Sequence, residues 1–310
     1  MLRALIALAL IASSAAQSSS REVAITFDDL PVAGVLPRDA DASRALTRKL
    51  LQAVVDHRVP AIGFVNERKL GDPPAGARVA LLRLWLDAGL ELGNHGYSHL
   101  DLNTTPLEQF EADVVRGETM TRRLLDERGM PLRYFRHPFL HTGRDLGVRD
   151  ALHRFLAGRG YRVAPVTIDN DEYIFAAAYD RAAMRHDDAL ARHVADAYVP
   201  YMEAKVAFFE RNSVDLVGYE MRHVLLLHAN MLNADRFDEL ARMLERRGYR
   251  FITLERALED PAYRMDDTYT GSGGITWIHR WALTKGVAKS FFAGEPAVPP
   301  WVAKAAEAPR

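Results

Sequence analysis

Short apolar segments alternate with helical patterns along most of this 310-residue chain, and this alternation constrains the fold more than any other feature. Leu46, Leu50 and Val54, for example, recur at four-residue spacing and so share one face of a predicted helix. Strands that alternate with helices form a parallel sheet that the helices cover, so the pattern predicts an α/β protein. Seven such units suit either a barrel or a doubly wound sheet, and periodicity does not choose between the two. The predicted strands are residues 23–27, 61–65, 90–92, 134–135, 163–168, 224–227 and 251–254.

Several segments have patterns that refine this organisation. Thr105 to Glu108 predicts a helix that begins with a capping box, and Asn233 is predicted to cap the last long helix. Residues 176–218 read as a long helical insertion bent at Pro200. From residue 260 onward the chain is rich in Gly, Pro and Trp, which indicates an extension rather than a second domain. We therefore expect one domain at 17–258 and a C-terminal extension at 259–310 that packs on it.

The first 20 residues have the pattern of an export signal. Arg3 precedes an apolar run of nine residues, 4–12, and small residues at 14–16 come before Gln17. This pattern predicts a signal peptide at 1–16, since the apolar run is too short to span a bilayer. We expect a secreted or periplasmic protein without a stable membrane anchor, because no cysteine is present to carry a lipid.

The composition excludes several kinds of site. Lys and Arg number 40 against 41 Asp and Glu, so the chain lacks the basic excess that binds nucleic acid or anionic membranes. The absence of cysteine excludes disulfides, cysteine zinc sites and a thiol nucleophile. Any metal must therefore be held by His, Asp, Glu and water.

Ionisable residues follow five of the predicted strands. The carboxyl ends of parallel strands meet at one edge of a sheet, where α/β proteins carry their active sites, so these residues are expected to converge on one site. They are Asp28 and Asp29, His95 and His99, Arg136 with His137, the acidic stretch 169–172, and His228.

Each of these residues has a functional and a structural interpretation. His95 and His99, four residues apart, can hold one metal between them, although the same spacing also occurs in surface or core histidines. Adjacent residues of a strand point in opposite directions, so Asp28 and Asp29 need different tasks, such as ligand and base, or else they cap a turn. His228 suits proton transfer, and it also suits a hydrogen bond that closes a buried strand.

The order of these residues resembles a known family. TFDD at 26–29, HGYSH at 95–99, RHPF at 136–139, the acids at 169–172 and LLLH at 225–228 resemble the five motifs of the polysaccharide deacetylase family, or NodB homology domain. The resemblance covers roughly residues 22–258. It implies a distorted (β/α)7 barrel, here with the helical insertion and the C-terminal extension, and one divalent metal. Zn2+ is expected, and Co2+, Ni2+ and Mn2+ suit the same ligands.

The resemblance also implies a role for each matching residue. Asp28 would be the general base toward a metal-activated water, and Arg136 would pair with it and hold its orientation. The backbone N–H of Phe139 would stabilise the oxyanion, and His228 would be the acid that protonates the departing amine. The metal ligands would be Asp29, His95 and His99.

The fourth motif departs from the family pattern. The family usually has Asp-Trp there, with the acid contacting the arginine of the third motif and the tryptophan forming a wall of the acetyl pocket. This chain has Glu172 and Tyr173, with Asp169 upstream, and both acids are counted as catalytic candidates. The extension carries Trp277, His279 and Trp281, which either form a saccharide-stacking rim or pack the extension onto the barrel.

These observations predict a metal-dependent hydrolase that removes acetyl groups from an N-acetylated saccharide such as peptidoglycan or a chitin-like glycan. An O-acetyl esterase or a small-molecule amidohydrolase would use the same scaffold. An inactive carbohydrate-binding protein is the alternative of another class. A two-metal phosphoesterase would need a second set of acidic ligands, which the motifs lack.

Overall fold

A computed structural model describes residues 21–34, 39–71 and 75–307. Within these ranges seven parallel strands form one sheet with helices around it. The strands are β1 (Arg21–Leu30), β2 (Ile62–Val65), β3 (Glu91–Asn94), β4 (Tyr134–Phe135), β5 (Arg162–Val163), β6 (His223–His228) and β7 (Tyr249–Phe251). The α-helices are α1 (Ala40–Asp56), α2 (Gly76–Asp87), α3 (Leu107–Arg116), α4 (Thr119–Asp126), α5 (Leu146–Gly158), α6 (Glu172–Met184), α7 (Asp188–Val217), α8 (Met231–Arg246), α9 (Leu254–Ala257), α10 (Trp277–Thr284) and α11 (Pro300–Glu307).

The order of the strands curls the sheet into a distorted (β/α)7 barrel. The sheet runs β5-β4-β3-β2-β1-β6, and β7 pairs with the beginning of β1. Beyond β5 the chain reaches the other end of the sheet, where Ile168 pairs with Leu225 of β6. The predicted fold class is confirmed. The parallel arrangement brings the carboxyl ends of the strands to one side.

The central strands are apolar along their length because both of their faces are covered. Val23, Ile25 and Phe27 of β1 are buried, and the Phe27 ring contacts Trp85 of α2 with the ring centroids 5.4 Å apart. Leu50 and Val54 are buried on the predicted face of α1. This core holds β1 between β2 and β6, so Asp28 and Asp29, which lie within β1 near its carboxyl end, have a fixed position.

Some predicted boundaries are wrong, and each error has a local cause. The predicted strand 163–168 is interrupted: Arg162–Val163 pairs with β4, and Pro165, which has no N–H to continue the ladder, separates it from the single bridge of Ile168 to β6. The capping box at Thr105 is absent: α3 begins after Pro106, and no side chain caps it. The cap of α8 is Asn230, whose side chain accepts from the N–H of Asn233.

The predicted insertion begins earlier than expected and forms two helices. α6 starts at Glu172, directly in the fourth motif, and α7 is one 30-residue helix that includes Pro200. Trp277 and Trp281 are buried, and the N–H of Trp277 donates to the carbonyl of Val166 at 2.8 Å. These tryptophans therefore pack the C-terminal segment against the barrel and do not form an open rim.

The predicted signal peptide at 1–16 lies outside the described residues. Among the helices that the structure does describe, none combines the length and the apolar character needed to cross a bilayer.

Candidate active site

The carboxyl ends of the strands surround a cavity of about 620 Å³. β1 and β6 run side by side in register, so Asp28 lies beside His228. The second-motif histidines follow β3, and the third-motif turn follows β4. The cavity is lined by most of the predicted site residues: Asp28, Asp29, His95, His99, Phe139, Asp169 and His228.

Asp29, His95 and His99 form a cluster with the geometry of a metal site. Each residue offers one ligand atom, and these atoms lie within 4.8 Å of one another. Nδ1 of His95 lies 2.9 Å from the carbonyl of Arg136, which can only accept, so Nδ1 carries the proton. Nε2 of His95 is thereby left with a free lone pair for a metal.

The second-motif loop is held by an acid that the sequence reading did not single out. Asp113 of α3 accepts hydrogen bonds from the N–H groups of Tyr97, at 2.9 Å, and Ser98, at 3.0 Å. His99 follows in the left-handed backbone region, with φ of 57°. Asp113 therefore fixes the loop that carries both histidines.

Asp29 has the environment of a cation ligand. Its Oδ1 is buried and has no hydrogen-bond partner among the described residues, and it lies 3.8 Å from Nε2 of His99. Its Oδ2 is 3.0 Å from Nζ of Lys69, and Lys69 also donates to the Asp29 carbonyl at 3.1 Å. A buried carboxylate oxygen without a partner is costly unless a cation binds it.

The protonation states of the three residues also suit a metal. Burial would raise the pKa of Asp29, but Lys69 and the two histidines hold that pKa below its ordinary value. Burial lowers the pKa of His95 and of His99 to about 4, so both imidazoles are neutral at pH 7. One carboxylate and two neutral imidazoles fit a divalent metal and leave coordination positions open for water and substrate.

Asp28 and Arg136 form a buried ion pair beside this cluster. Nη1 of Arg136 lies 3.2 Å from both carboxylate oxygens of Asp28, which is only 3% exposed. The other guanidinium nitrogens donate to the carbonyl of Ala164, at 2.9 Å, and to Oγ1 of Thr26, at 3.0 Å. Burial raises the pKa of Asp28, and Arg136 opposes that rise. The pair thus holds an oriented carboxylate with increased basicity.

The expected contact between Glu172 and Arg136 is not formed, because Glu172 bonds to His228. Oε2 of Glu172 lies 2.8 Å from Nδ1 of His228. Oε1 accepts from the side-chain amides of Asn230 and Asn233, the latter at 2.6 Å. The side chain that departs from the family pattern therefore orients the proposed acid. Sequence reading singled out Asn233 only as a helix cap and missed Asn230, whose only signal is an Asn-x-x-Asn pattern shortly after the histidine motif.

The Glu172 contact determines the charge of His228. Burial alone would lower the pKa of His228, but Glu172, followed by Asp29 and Asp28, favours the charged form and raises the pKa to about 9. His228 is therefore an imidazolium at neutral pH, with Nδ1 bound to Glu172 and Nε2 left to donate a proton.

Two exposed aromatic side chains stand at the cavity. Phe139 is 53% exposed and lies edge-on to His99, with the ring centroids 4.4 Å apart. Tyr173 is 57% exposed and lies edge-on to His228 at 6.5 Å. The two rings thus flank the metal-site side and the imidazolium side of the cavity with apolar faces.

Asp169 adds a further carboxyl group to the cavity wall. Its Oδ1 accepts from the N–H of Asn170 at 2.8 Å. Burial, and then the charge of Asp171, raises the pKa of Asp169 to about 6. Lys205 of α7 links Asp171, at 3.3 Å, to Glu295 of the C-terminal segment, at 2.6 Å. The wall therefore carries a group that changes charge near neutral pH.

Comparison with known proteins agrees with this arrangement. Residues 15–154 match the family model described as polysaccharide deacetylase. A chitin deacetylase from Colletotrichum lindemuthianum is 28% identical over 151 residues, which are 49% of this chain and 52% of that protein. Over this part of its length the chain is similar to the polysaccharide deacetylase family. It spans about half the length of the curated relative that it matches.

Solved structures are similar to this chain in fold. The chitin deacetylase structure from the same fungus is similar with a TM-score of 0.52 and 23% identity, covering 80% of this chain and 91% of that one. A CE4 family pseudoenzyme from Bacillus anthracis is similar with a TM-score of 0.50 and 14% identity, covering 77% of this chain and 66% of that one. The same fold thus occurs in a protein named as an enzyme and in one named as a pseudoenzyme, so activity must be argued from side chains.

Proposed function

We propose that this protein is a metal-dependent hydrolase that removes acetyl groups from an N-acetylated saccharide, either a chitin-like glycan or peptidoglycan. One observation carries the proposal: the Asp29–His95–His99 cluster shares one cavity with Asp28, which pairs with Arg136, and with His228, which pairs with Glu172. The export pattern of residues 1–16 supports action outside the cytoplasm.

Hydrolysis of an amide needs an activated water, stabilisation of the oxyanion and protonation of a poor leaving amine. A divalent metal held by Asp29, His95 and His99 would supply Lewis acidity toward the water and the carbonyl. Asp28 accepts the proton of the attacking water, since Arg136 fixes its orientation and burial raises its basicity. General acid–base groups of this kind typically contribute about 10²–10⁴-fold.

The remaining residues act on the carbonyl oxygen and the leaving group. The backbone N–H of Phe139, at the cavity wall, donates to the oxyanion as the carbonyl becomes tetrahedral. His228 gives its Nε2 proton to the departing nitrogen, while Glu172 stabilises the charged imidazolium before the transfer. Protonation by a general acid is needed most when the leaving group is an amine, so a donor that stays protonated at neutral pH favours an N-acetyl over an O-acetyl substrate.

The shape of the cavity supports a saccharide substrate. The exposed rings of Phe139 and Tyr173 offer apolar faces on which a sugar ring can pack. The relative named chitin deacetylase is consistent with N-acetylated sugars. Tyr173, in the position where the family usually has tryptophan, leaves a smaller and more polar wall near His228.

An inactive carbohydrate-binding protein is the competing function, because a pseudoenzyme shares this fold. A binding protein has no use for a base held by Arg136 or for an imidazolium held by Glu172. Both pairs are present in this chain with close geometry, at 3.2 Å and 2.8 Å. These contacts favour turnover.

Acetate release across a substrate panel tests the proposal. Purified protein is incubated with N-acetylglucosamine oligomers, peptidoglycan and acetylated xylan, with and without chelator, and Zn2+ is then restored. We expect acetate from the N-acetylated substrates, its loss with chelator and its recovery with metal. The matched control is Asp28→Asn, which keeps the shape of the side chain but removes the base. Equal acetate release by this variant, or none by the wild type from any substrate, contradicts the proposal.

A further inference from the structure

Gly274, in the C-terminal segment, touches the backbone of the third-motif turn. It lines the active-site cavity. A Cβ atom built on Gly274 would lie 1.8 Å from the carbonyl oxygen of Phe139 and 3.3 Å from Cδ2 of His141. The first distance is far inside van der Waals contact, so any side chain at this position would displace Phe139. Only glycine allows this close approach of two backbones.

The turn that Gly274 contacts needs support from outside itself. Phe139 and Leu140 both have positive φ, at 57° and 56°, although each carries a bulky side chain. Such conformations are strained and persist only where the surroundings hold them. The hydrogen bonds of the turn run from Leu140 to His137 and from His141 to Pro138, and neither uses the Phe139 N–H.

The segment that carries Gly274 is itself anchored on both sides. The side chain of Asn103 donates to the carbonyl of Ser272 at 3.1 Å, and the hydroxyl of Tyr269 donates to the carbonyl of Gly273 at 3.0 Å. Beyond the segment, the N–H of Trp277 donates to Val166, and Arg280 donates to the hydroxyl of Thr142. Residues 269–276, which we call the buttress, are thus closed on themselves by Tyr269 and tied to the barrel through Ser272, before Gly274, and through Trp277 and Arg280, after it.

We propose that the buttress, through the contact of Gly274 with the Phe139 carbonyl, positions the backbone of Phe139, whose N–H is the proposed oxyanion donor, so that Gly274 is a positioning residue of the active site. This inference rests on the proposed deacetylase function. A donor to the oxyanion acts mainly in the transition state, so its displacement lowers kcat more than it changes KM. The buttress has no counterpart among the five sequence motifs, and it brings a segment far along the chain into the catalytic centre.

The test compares Gly274→Ala with Gly273→Ala. A Cβ at Gly273 would meet its nearest atom, the Tyr269 hydroxyl, at 3.6 Å, which is an ordinary contact, so this variant is the matched control. We expect Gly274→Ala to lose about 10²-fold in kcat with KM within about threefold, as when an oxyanion donor is lost. The metal stoichiometry of Gly274→Ala and the kinetics of Gly273→Ala should both match those of the wild type. Amide hydrogen exchange at residues 139–141 should be faster in Gly274→Ala alone.

Two outcomes overturn the inference: wild-type kcat in Gly274→Ala, or an equal loss in both variants. If Gly274→Ala does not fold, Asn103→Ala is the second variant, because it removes the hydrogen bond to Ser272 without adding an atom. We expect it to lower kcat about fivefold and to speed amide hydrogen exchange in the turn. Unchanged kcat and exchange in that variant contradict the inference. A wild type that releases no acetate counts against the proposed function, and hydrogen exchange then decides separately whether Gly274 holds the turn.

Discussion

Replacing Glu172 by glutamine removes the charge that keeps His228 protonated. The carboxylate accepts from Nδ1 of His228 at 2.8 Å and from the amides of Asn230 and Asn233. In Glu172→Gln the amide oxygen can still accept from the two asparagines, and the amide nitrogen then faces Nδ1. An N–H group in that position requires Nδ1 to accept, so the variant favours the neutral imidazole.

The size of the effect follows from the pKa of His228. Glu172 is the main group that raises this pKa from 6.5 to about 9. A return to 6.5 or below corresponds to about 3 kcal/mol of lost stabilisation of the imidazolium. Because the folded-state pKa is raised, this stabilisation is fully present below pH 6.5 and is lost as the pH rises through about 9. We therefore expect the pKa of His228 to fall by about 2 or more in Glu172→Gln.

Two assays test this prediction. NMR titration of the metal-free protein reports the pKa of His228 directly, and the pH dependence of kcat in the metal-loaded enzyme reports the same group. A bound cation near Asp29 opposes protonation of His228, so the kinetic limb lies at lower pH than the NMR value, but the variant shifts both downward. Glu210→Gln, which removes a buried carboxylate paired with Arg21 and Arg247, is the control and should shift neither. An unchanged alkaline limb in Glu172→Gln would refute the reasoning.

Three further predictions concern the metal cluster and the buried ion pair. His95→Ala should abolish metal binding, since it removes one of three donors, and stoichiometric metal in the purified variant would exclude His95 as a ligand. Excess Zn2+ at 100 times its Kd should stabilise the wild type against urea by about 2.7 kcal/mol, and an unchanged unfolding midpoint would contradict a folded-state metal site. Arg136→Met should lower the free energy of unfolding by about 3–5 kcal/mol, because it leaves Asp28 buried without its partner. A loss under about 1 kcal/mol would show that the pair is not desolvated.

The strands and the strand-end residues could be predicted because they depend on local patterns. The buried run of β6 ends at His228 as predicted, since a continuous apolar segment followed by a polar residue marks where a covered strand reaches the edge of its sheet. The helix and strand boundaries that were predicted wrongly depend on contacts between segments that are distant in the sequence. The helix predicted to begin at Thr105 to Glu108 ends at Arg116, and a Cβ on the next residue, Gly117, would lie 2.4 Å from the backbone of Gly96. Only the folded chain shows that this helix junction touches the metal loop.

The partners of the site residues were less predictable than the residues themselves. Family resemblance indicated that the fourth-motif acid contacts Arg136, but the guanidinium is engaged by Asp28, Thr26 and Ala164. The longer side chain of Glu172 reaches His228, which is 56 residues away in sequence. Lys69, which holds Asp29, lies in a polar turn without any motif. Such contacts depend on side-chain length and on the register of the sheet, which periodicity does not describe.

The pairing of β1 with β6 also determines when the active centre can exist. Asp28 and His228 are neighbours only because these two strands pair in register. Asp28 lies within the segment that matches the family model, 15–154, whereas His228 lies far beyond its end. A pairing between such distant segments has a high contact order and forms slowly. During synthesis β1 must therefore wait for β6, with an unpaired edge that can associate with other chains. The refolding rate and the tendency to aggregate during expression thus depend on the same pairing that brings the base beside the acid.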